Sequence, residues 1–136
     1  MYYYANFDYA DDGITVTFRD IPETITCGDN EEDAITMAEN CLLTAVEIYF
    51  EQEWQFPLPN KPKKGEKAIY LPDSVYSKIL LHNAMLEKKV SNAALARAMN
   101  TTPAEVQRIV NIRHKTKIDT IGKALNAIGF QLQMSI

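Results

Sequence analysis

Between residues 102 and 117 the chain carries side chains of the kinds that read nucleic acid. Ala104, Gln107, Arg108 and Asn111 recur at helical spacing. Their types match base edges: Gln or Asn suits adenine, Arg suits guanine, and a small methyl group suits thymine. Thr102 precedes them, and Arg113, His114, Lys115, Thr116 and Lys117 follow as a cluster fitted to phosphate oxygens. A second chemistry is conceivable near the N-terminus, where Asp8, Asp11 and Asp12 could belong to a two-metal nuclease of ribonuclease H type. Such a site needs three or four carboxylates converging from separate elements. Asp11 and Asp12 instead fall beside Gly13 in a turn, where aspartate is common for backbone reasons, so no catalytic residue is assigned. Cys27 and Cys41 come without a CxxC spacing or a histidine at ligand distance, so neither metal nor cofactor nor disulfide framework is expected.

The elements that must position the first group are legible around it. Val75, Ile79, Leu80, Met85 and Leu86 mark an amphipathic helix that stops near Lys88 and Lys89. Ser91 is placed to cap a second helix over 92–99, with Leu95 and Met99 on its inner side. Asn100, Thr101 and Thr102 interrupt it. Thr102 then serves as N-cap, Pro103 as the first helical residue and Glu105 as the third position of a capping box. If Val106, Ile109 and Val110 face inward, then Ala104, Gln107, Arg108 and Asn111 face out. Ala96 suits a close contact between the two short helices, which together read as a helix-turn-helix. A last helix over 119–128 ends at Gly129, and Phe130, Leu132, Met134 and Ile136 alternate like a terminal strand.

The first half has a different grammar. Tyr2 to Tyr9, the Asp11-Asp12-Gly13 turn and the alternating Ile14, Val16 and Phe18 form a β-hairpin, and 24–28 adds a third strand. A helix over about 30–53 follows, capped by Asn30, with Ala34, Ile35, Ala38, Cys41, Leu42, Ala45, Val46 and Tyr49 along one face. The Pro- and Lys-rich stretch 56–65 reads as a flexible connection, and 67–71 as a fourth strand closed by Pro72. The fold class is therefore α+β: a β-β-β-α-β unit over residues 1–71, then an all-α unit over 72–136.

Charge divides along the same line. The net charge is -4, but residues 1–60 hold thirteen acids against Arg19 alone, whereas residues 61–136 hold thirteen bases against five acids. A basic module for a polyanion and an acidic module for another partner fit that asymmetry. Two small units each bury limited apolar surface, so at least a homodimer is expected, with the last helix and the Phe130–Ile136 segment as candidate contacts. The N-terminus lacks a basic region followed by an apolar stretch, and no segment is apolar enough to span a bilayer. A cytoplasmic location and no membrane partner are expected.

Residues 91–129 resemble the helix-turn-helix family of phage Cro and lambda-type repressors. The likeness rests on Leu95-Ala96-Arg97 through Met99, the run from Thr102 to Arg108, Asn111 with its basic loop, Ile118 to Ile121, and Ala124 to Gly129. Ala68 to Asp73 followed by helices also resembles the start of a ribbon-helix-helix repressor, which would read DNA with Lys67 and Tyr70. Taken whole, the chain resembles the HicB family of antitoxins, in its longer form with a C-terminal helix-turn-helix. The matching features are Gly13 in its turn, Phe18 to Glu23, Thr26, Gly28, Ala34, Leu42 to Ala45, Tyr49 to Glu51, Pro57 to Pro59, Pro72, Ser77-Lys78 and Asn83-Ala84. That resemblance implies a partial ribonuclease H-like N-terminal domain without nuclease activity. It also implies a HicA-type RNA-cleaving toxin as partner and operator DNA as the target of the second half. A stand-alone transcriptional regulator, one that senses a small molecule, and a degenerate nuclease are the competing readings.

Overall fold

The computed structural model of the chain describes residues 1–136 and separates into two units. The first comprises Met1–Gln52 and Phe56–Pro72, and the second comprises Glu53–Gln55 and Asp73–Ile136. By unit, thirteen acids against five bases give -8 in the first, and five acids against nine bases give +4 in the second. The charge divide is thus real but milder than a cut at residue 60 suggests, because Lys61, Lys63, Lys64 and Lys67 belong to the acidic unit.

In the first unit, strands β1 (Tyr2–Ala10), β2 (Gly13–Phe18) and β3 (Ile25–Gly28) precede helix α1 (Glu31–Glu51), and β4 (Lys67–Tyr70) closes the sheet. The order is β3-β2-β1-β4, antiparallel throughout. Register explains the core. Tyr3 opposes Ile69, Ala5 opposes Phe18 and Phe7 opposes Val16, so every one of these buried side chains shares a face. Onto it α1 lowers Ala34, Ala38, Leu42, Ala45 and Val46, the small residues allowing close approach. The approach is closest at Gly28, where a Cβ would lie 2.4 Å from the Ala34 nitrogen. Only glycine fits there. Asn30 caps α1 by accepting from the Asp33 nitrogen at 2.8 Å, and Asp33 accepts in return from the Asp29 nitrogen at 2.9 Å.

The stretch 56–65 is irregular, as its prolines require, but it is anchored rather than flexible. Phe56 is buried, with its ring against Tyr3 and Tyr49, and the Tyr3 hydroxyl donates to the Pro57 carbonyl at 2.7 Å. Arg19 fastens the far end, donating to Glu66 Oε1 at 2.8 Å and to the Lys61 carbonyl at 3.0 Å. Asp20 accepts from Asn60 Nδ2 at 3.0 Å. Composition betrayed the lack of regular structure but not these long-range ties. The strand β4 is taken up by β1, Lys67 is ion-paired with Glu31, and Tyr70 packs edge-on against Tyr2. Those engagements leave Lys67 and Tyr70 poorly placed to act as a free DNA-reading ribbon.

The second unit contains α2 (Asp73–Lys88), α3 (Asn92–Ala98), α4 (Pro103–Val110) and α5 (Ile118–Ala127). Leu81, Ala84, Met85, Leu95, Ala96, Val106, Ile109, Ile121, Ala124 and Leu125 form its core. Residues 53–55 join it through the Trp54 carbonyl, which accepts from His82 Nε2 at 2.7 Å. The terminal strand expected over Phe130–Ile136 is absent. A strand needs a partner edge, and this unit has no sheet. Gly129, at φ +90°, instead terminates α5, the Phe130 nitrogen donates to the Leu125 carbonyl at 2.9 Å, and Phe130 and Leu132 pack on the helical core. No helix of the chain is long and apolar enough to cross a membrane.

The Asp20 contacts set a pH dependence. Burial pushes its carboxyl up, but the hydrogen bonds from Asn60 and Arg19 outweigh that and hold it below its ordinary value. The clasp therefore contributes stability at neutral pH that is lost as pH falls through the folded-state value. We expect D20N to cost about 1 to 2 kcal/mol at pH 7. The cost should begin to shrink below about pH 4, where Asp20 of the unfolded chain takes up its proton, and disappear only once pH falls below the lowered folded-state value, where the folded wild type is neutral too. Urea titrations at both pH values check this, and an equal cost at each would refute it.

Candidate nucleic-acid interface

Helix α4 is built to stop, restart and present one side. Asn100, at φ +57°, turns the chain out of α3, and the Thr101 nitrogen returns to the Ala96 carbonyl at 2.9 Å. Thr102 then accepts from the Glu105 nitrogen at 3.2 Å and Pro103 opens the helix. The capping box is only half formed: the Glu105 carboxylate turns to Arg108, receiving Nη2 at 2.5 Å and Nε at 3.2 Å. An arginine one turn ahead competes successfully for the carboxylate.

With Val106 and Ile109 buried, Ala104, Gln107, Arg108 and Asn111 are exposed, and so are Thr102, Arg113, His114 and Lys115. The site residues read from sequence therefore lie along one solvent-facing stretch running from the cap of α4 through the loop that follows it. Several are already oriented. Gln107 Oε1 accepts from Asn92 Nδ2 at 2.8 Å, which ties the first turn of α3 to the middle of α4. Asn111 Oδ1 accepts from the Arg113 nitrogen at 2.9 Å, and the Asn111 carbonyl accepts from the His114 nitrogen at 3.1 Å. His114 Nδ1 lies 3.4 Å from Thr116 Oγ1.

Sequence reasoning missed two members of this arrangement. Asn92 looked like an ordinary first-turn residue, and nothing short of the α3–α4 packing reveals its partner. Lys78 is more informative. It is 2% exposed on α2, and its Nζ donates to the carbonyls of Asn111 and His114, each at 2.6 Å, with Arg108 O at 3.5 Å. Burial pulls the ammonium below the ordinary lysine value. The signal was present: Lys78 falls in phase with Val75, Ile79 and Met85, where an amphipathic helix should carry an apolar residue. At the opposite end of the chain, no group of three or more His, Cys, Asp or Glu side chains could hold a metal ion.

Comparison with known proteins extends the picture to the whole chain. Residues 2–80 match the family described as the HicB_like antitoxin of bacterial toxin-antitoxin system. The chain is 46% identical over 134 residues to Antitoxin HicB 2 of Photorhabdus laumondii, covering 98% of this chain and 95% of that one. It is 47% identical over 124 residues to Antitoxin HicB 1 of the same organism, covering 91% and 79%. Against Antitoxin HicB of Escherichia coli K12, identity is 38% over 122 residues, covering 90% and 88%.

The start of α4 yields a direct expectation. T102A removes the side-chain acceptor for the Glu105 nitrogen and should cost about 1 kcal/mol in urea unfolding, whereas T102S should retain most of that stability. Equal losses for the two variants would show that the hydroxyl does not cap this helix.

Proposed function

Because this chain belongs to the HicB-like antitoxin family of bacterial toxin-antitoxin systems, we propose that it neutralises a HicA-type RNA-cleaving toxin by covering the toxin's active site, and that it represses its own operon by binding operator DNA. Membership of an antitoxin family makes it a regulatory protein, not an enzyme. Residues 1–71 would engage the toxin and residues 72–136 the DNA, with both activities in the cytoplasm.

The observation that carries the DNA reading is the exposed row Thr102, Ala104, Gln107, Arg108 and Asn111 on a capped helix, followed by Arg113, His114 and Lys115. Such a helix can lie in a major groove while α3 braces it across the backbone. Gln107, Arg108 and Asn111 would meet base edges, and Arg113, His114 and Lys115 would meet phosphates. A homodimer or higher oligomer would place two α4 helices about 34 Å apart, matching half-sites one turn apart on a palindrome.

Electrostatics supports the toxin reading. A unit with net charge -8 can compete for a surface shaped to hold RNA phosphate, and complementary charge raises the rate of encounter. Active-site occlusion asks for no catalytic group on the antitoxin.

Full-length variants separate the two activities. R108A and Q107A should each weaken operator binding by about 1 to 3 kcal/mol with a changed preference at one base position, while K115A weakens all duplexes alike and flattens the salt dependence. Gel-shift titrations over a set of operator substitutions measure both effects, and unchanged operator binding by R108A and Q107A would defeat this orientation of α4. Co-expression with the toxin should show that R108A and Q107A still protect cells. Parallel loss of protection would refute the division of labour between the units.

A further inference from the structure

The C-terminal end of α4 poses an electrostatic problem. Its last carbonyls lack intrahelical donors, and a helix C-terminus carries partial negative charge. Arg113, His114 and Lys115, the groups assigned to phosphate contact, begin at that point. The Arg108 and Asn111 carbonyls each accept one backbone N–H, at 3.2 and 3.1 Å, but without a further donor these oxygens and that of His114 would still turn partial negative charge toward an approaching phosphate. The backbone from Asn111 to His114 is also irregular, so no helix or strand fixes where those side chains point.

Lys78 answers both difficulties from beneath. An ammonium has three donors, and three carbonyls surround this one: Asn111 and His114 at 2.6 Å, and Arg108 at 3.5 Å. They belong to the last turn of α4 and to both ends of the loop turn, so one cation ties three points of the backbone. No carboxylate is paired with Lys78, and the positive charge is left uncancelled under the loop. An apolar residue would suit its place on α2 at lower desolvation cost, which makes bare stability a poor reason for a lysine.

We infer that Lys78 is a positioning residue for DNA binding: its buried ammonium holds the Asn111–His114 backbone and offsets its carbonyls, so that Arg113, His114 and Lys115 stand ready for phosphate. The inference rests on the operator-binding reading of this face. Lys78 itself touches no DNA and leaves Gln107 and Arg108 at their stations. Its loss should therefore weaken binding to every sequence alike while sparing base preference.

The test uses the full-length protein and a fluorescent duplex carrying the region upstream of its own gene, with a scrambled duplex for comparison. Anisotropy titrations at several salt concentrations compare wild type, K78M and K115A at a temperature where circular dichroism shows each to be folded. K78M should bind about tenfold more weakly at moderate salt, with its salt slope lowered by about one or more and its ratio of operator to scrambled affinity unchanged. A purely structural role would lower the melting temperature and leave the salt slope of the folded protein intact, and that result overturns the inference while leaving the operator reading standing. Wild type that binds neither duplex overturns the operator reading and the inference together. Should K78M not fold, nitrogen-15 NMR of the wild type decides. A Lys78 ammonium signal protected from exchange, and shifted with the Arg113 and His114 amides when the duplex is added, supports the inference. An unprotected or unshifted signal defeats it.

Discussion

The burial of Val106 and Ile109 is the constraint on which the second unit turns. Each apolar side chain buried is worth about 1.5 to 3 kcal/mol, and both enter a core already lined by Leu81, Met85, Leu95 and Ile121. Helix residues advance about 100° each, so rotating α4 by a single position would carry Gln107 inward in place of Val106. Desolvating that amide without partners would cost a few kcal/mol more. The two effects add. The side of α4 that meets solvent is therefore decided from inside, and the polar row outside is a consequence of core packing as much as of its own chemistry.

Close approach supplies the second requirement. Ala96 is 2% exposed where α3 meets α4, and its carbonyl receives the Thr101 nitrogen that closes the turn. A larger side chain would separate the helices and cost about 1 to 3 kcal/mol through overpacking. The same economy of size operates in the first unit, where Gly28 lets the start of α1 pass against the end of β3 and the alanines of α1 bring it down on the sheet. In both units a regular element is seated by what its neighbour lacks.

Much of this was legible because local signals agree with one another. The strands, the caps at Asn30, Ser91 and Thr102 and the periods of α1 and α4 are each written within a few residues of where they act. The failures share a cause. Alternation at Phe130, Leu132, Met134 and Ile136 has the period of a strand, but a strand exists only if another edge accepts its hydrogen bonds. The prolines of 56–65 announce irregular backbone, while the ties from Tyr3 and Arg19 that immobilise it cross about 40 to 55 residues of sequence and depend on the assembled sheet. Among the site residues the outward positions of Gln107, Arg108 and Asn111 followed from phase alone. The Glu105–Arg108 pair is local, three residues apart on α4, whereas the restraints by Asn92 and Lys78 required the tertiary contact, and of those two only Lys78 left a trace, as a cation in an apolar phase.

The two most enclosed cations of the molecule follow one physical logic. Arg19 and Lys78 both leave water to bind backbone that no helix or strand can hold: Arg19 reaches the Lys61 carbonyl and Glu66, whereas Lys78 reaches Asn111 and His114. Desolvation opposes each, and well-packed apolar groups often stabilise a fold as much or more. An apolar side chain, however, offers nothing to a carbonyl, and an irregular segment is made of carbonyls and amides that need directional partners. A charged donor satisfies several of them at once and holds them around a single point. The difference between the two lies in their surroundings. Arg19 is matched by Asp20 and Glu66, so its clasp closes upon itself in charge. Lys78 has only neutral carbonyls, so its field extends outward beneath the exposed basic loop.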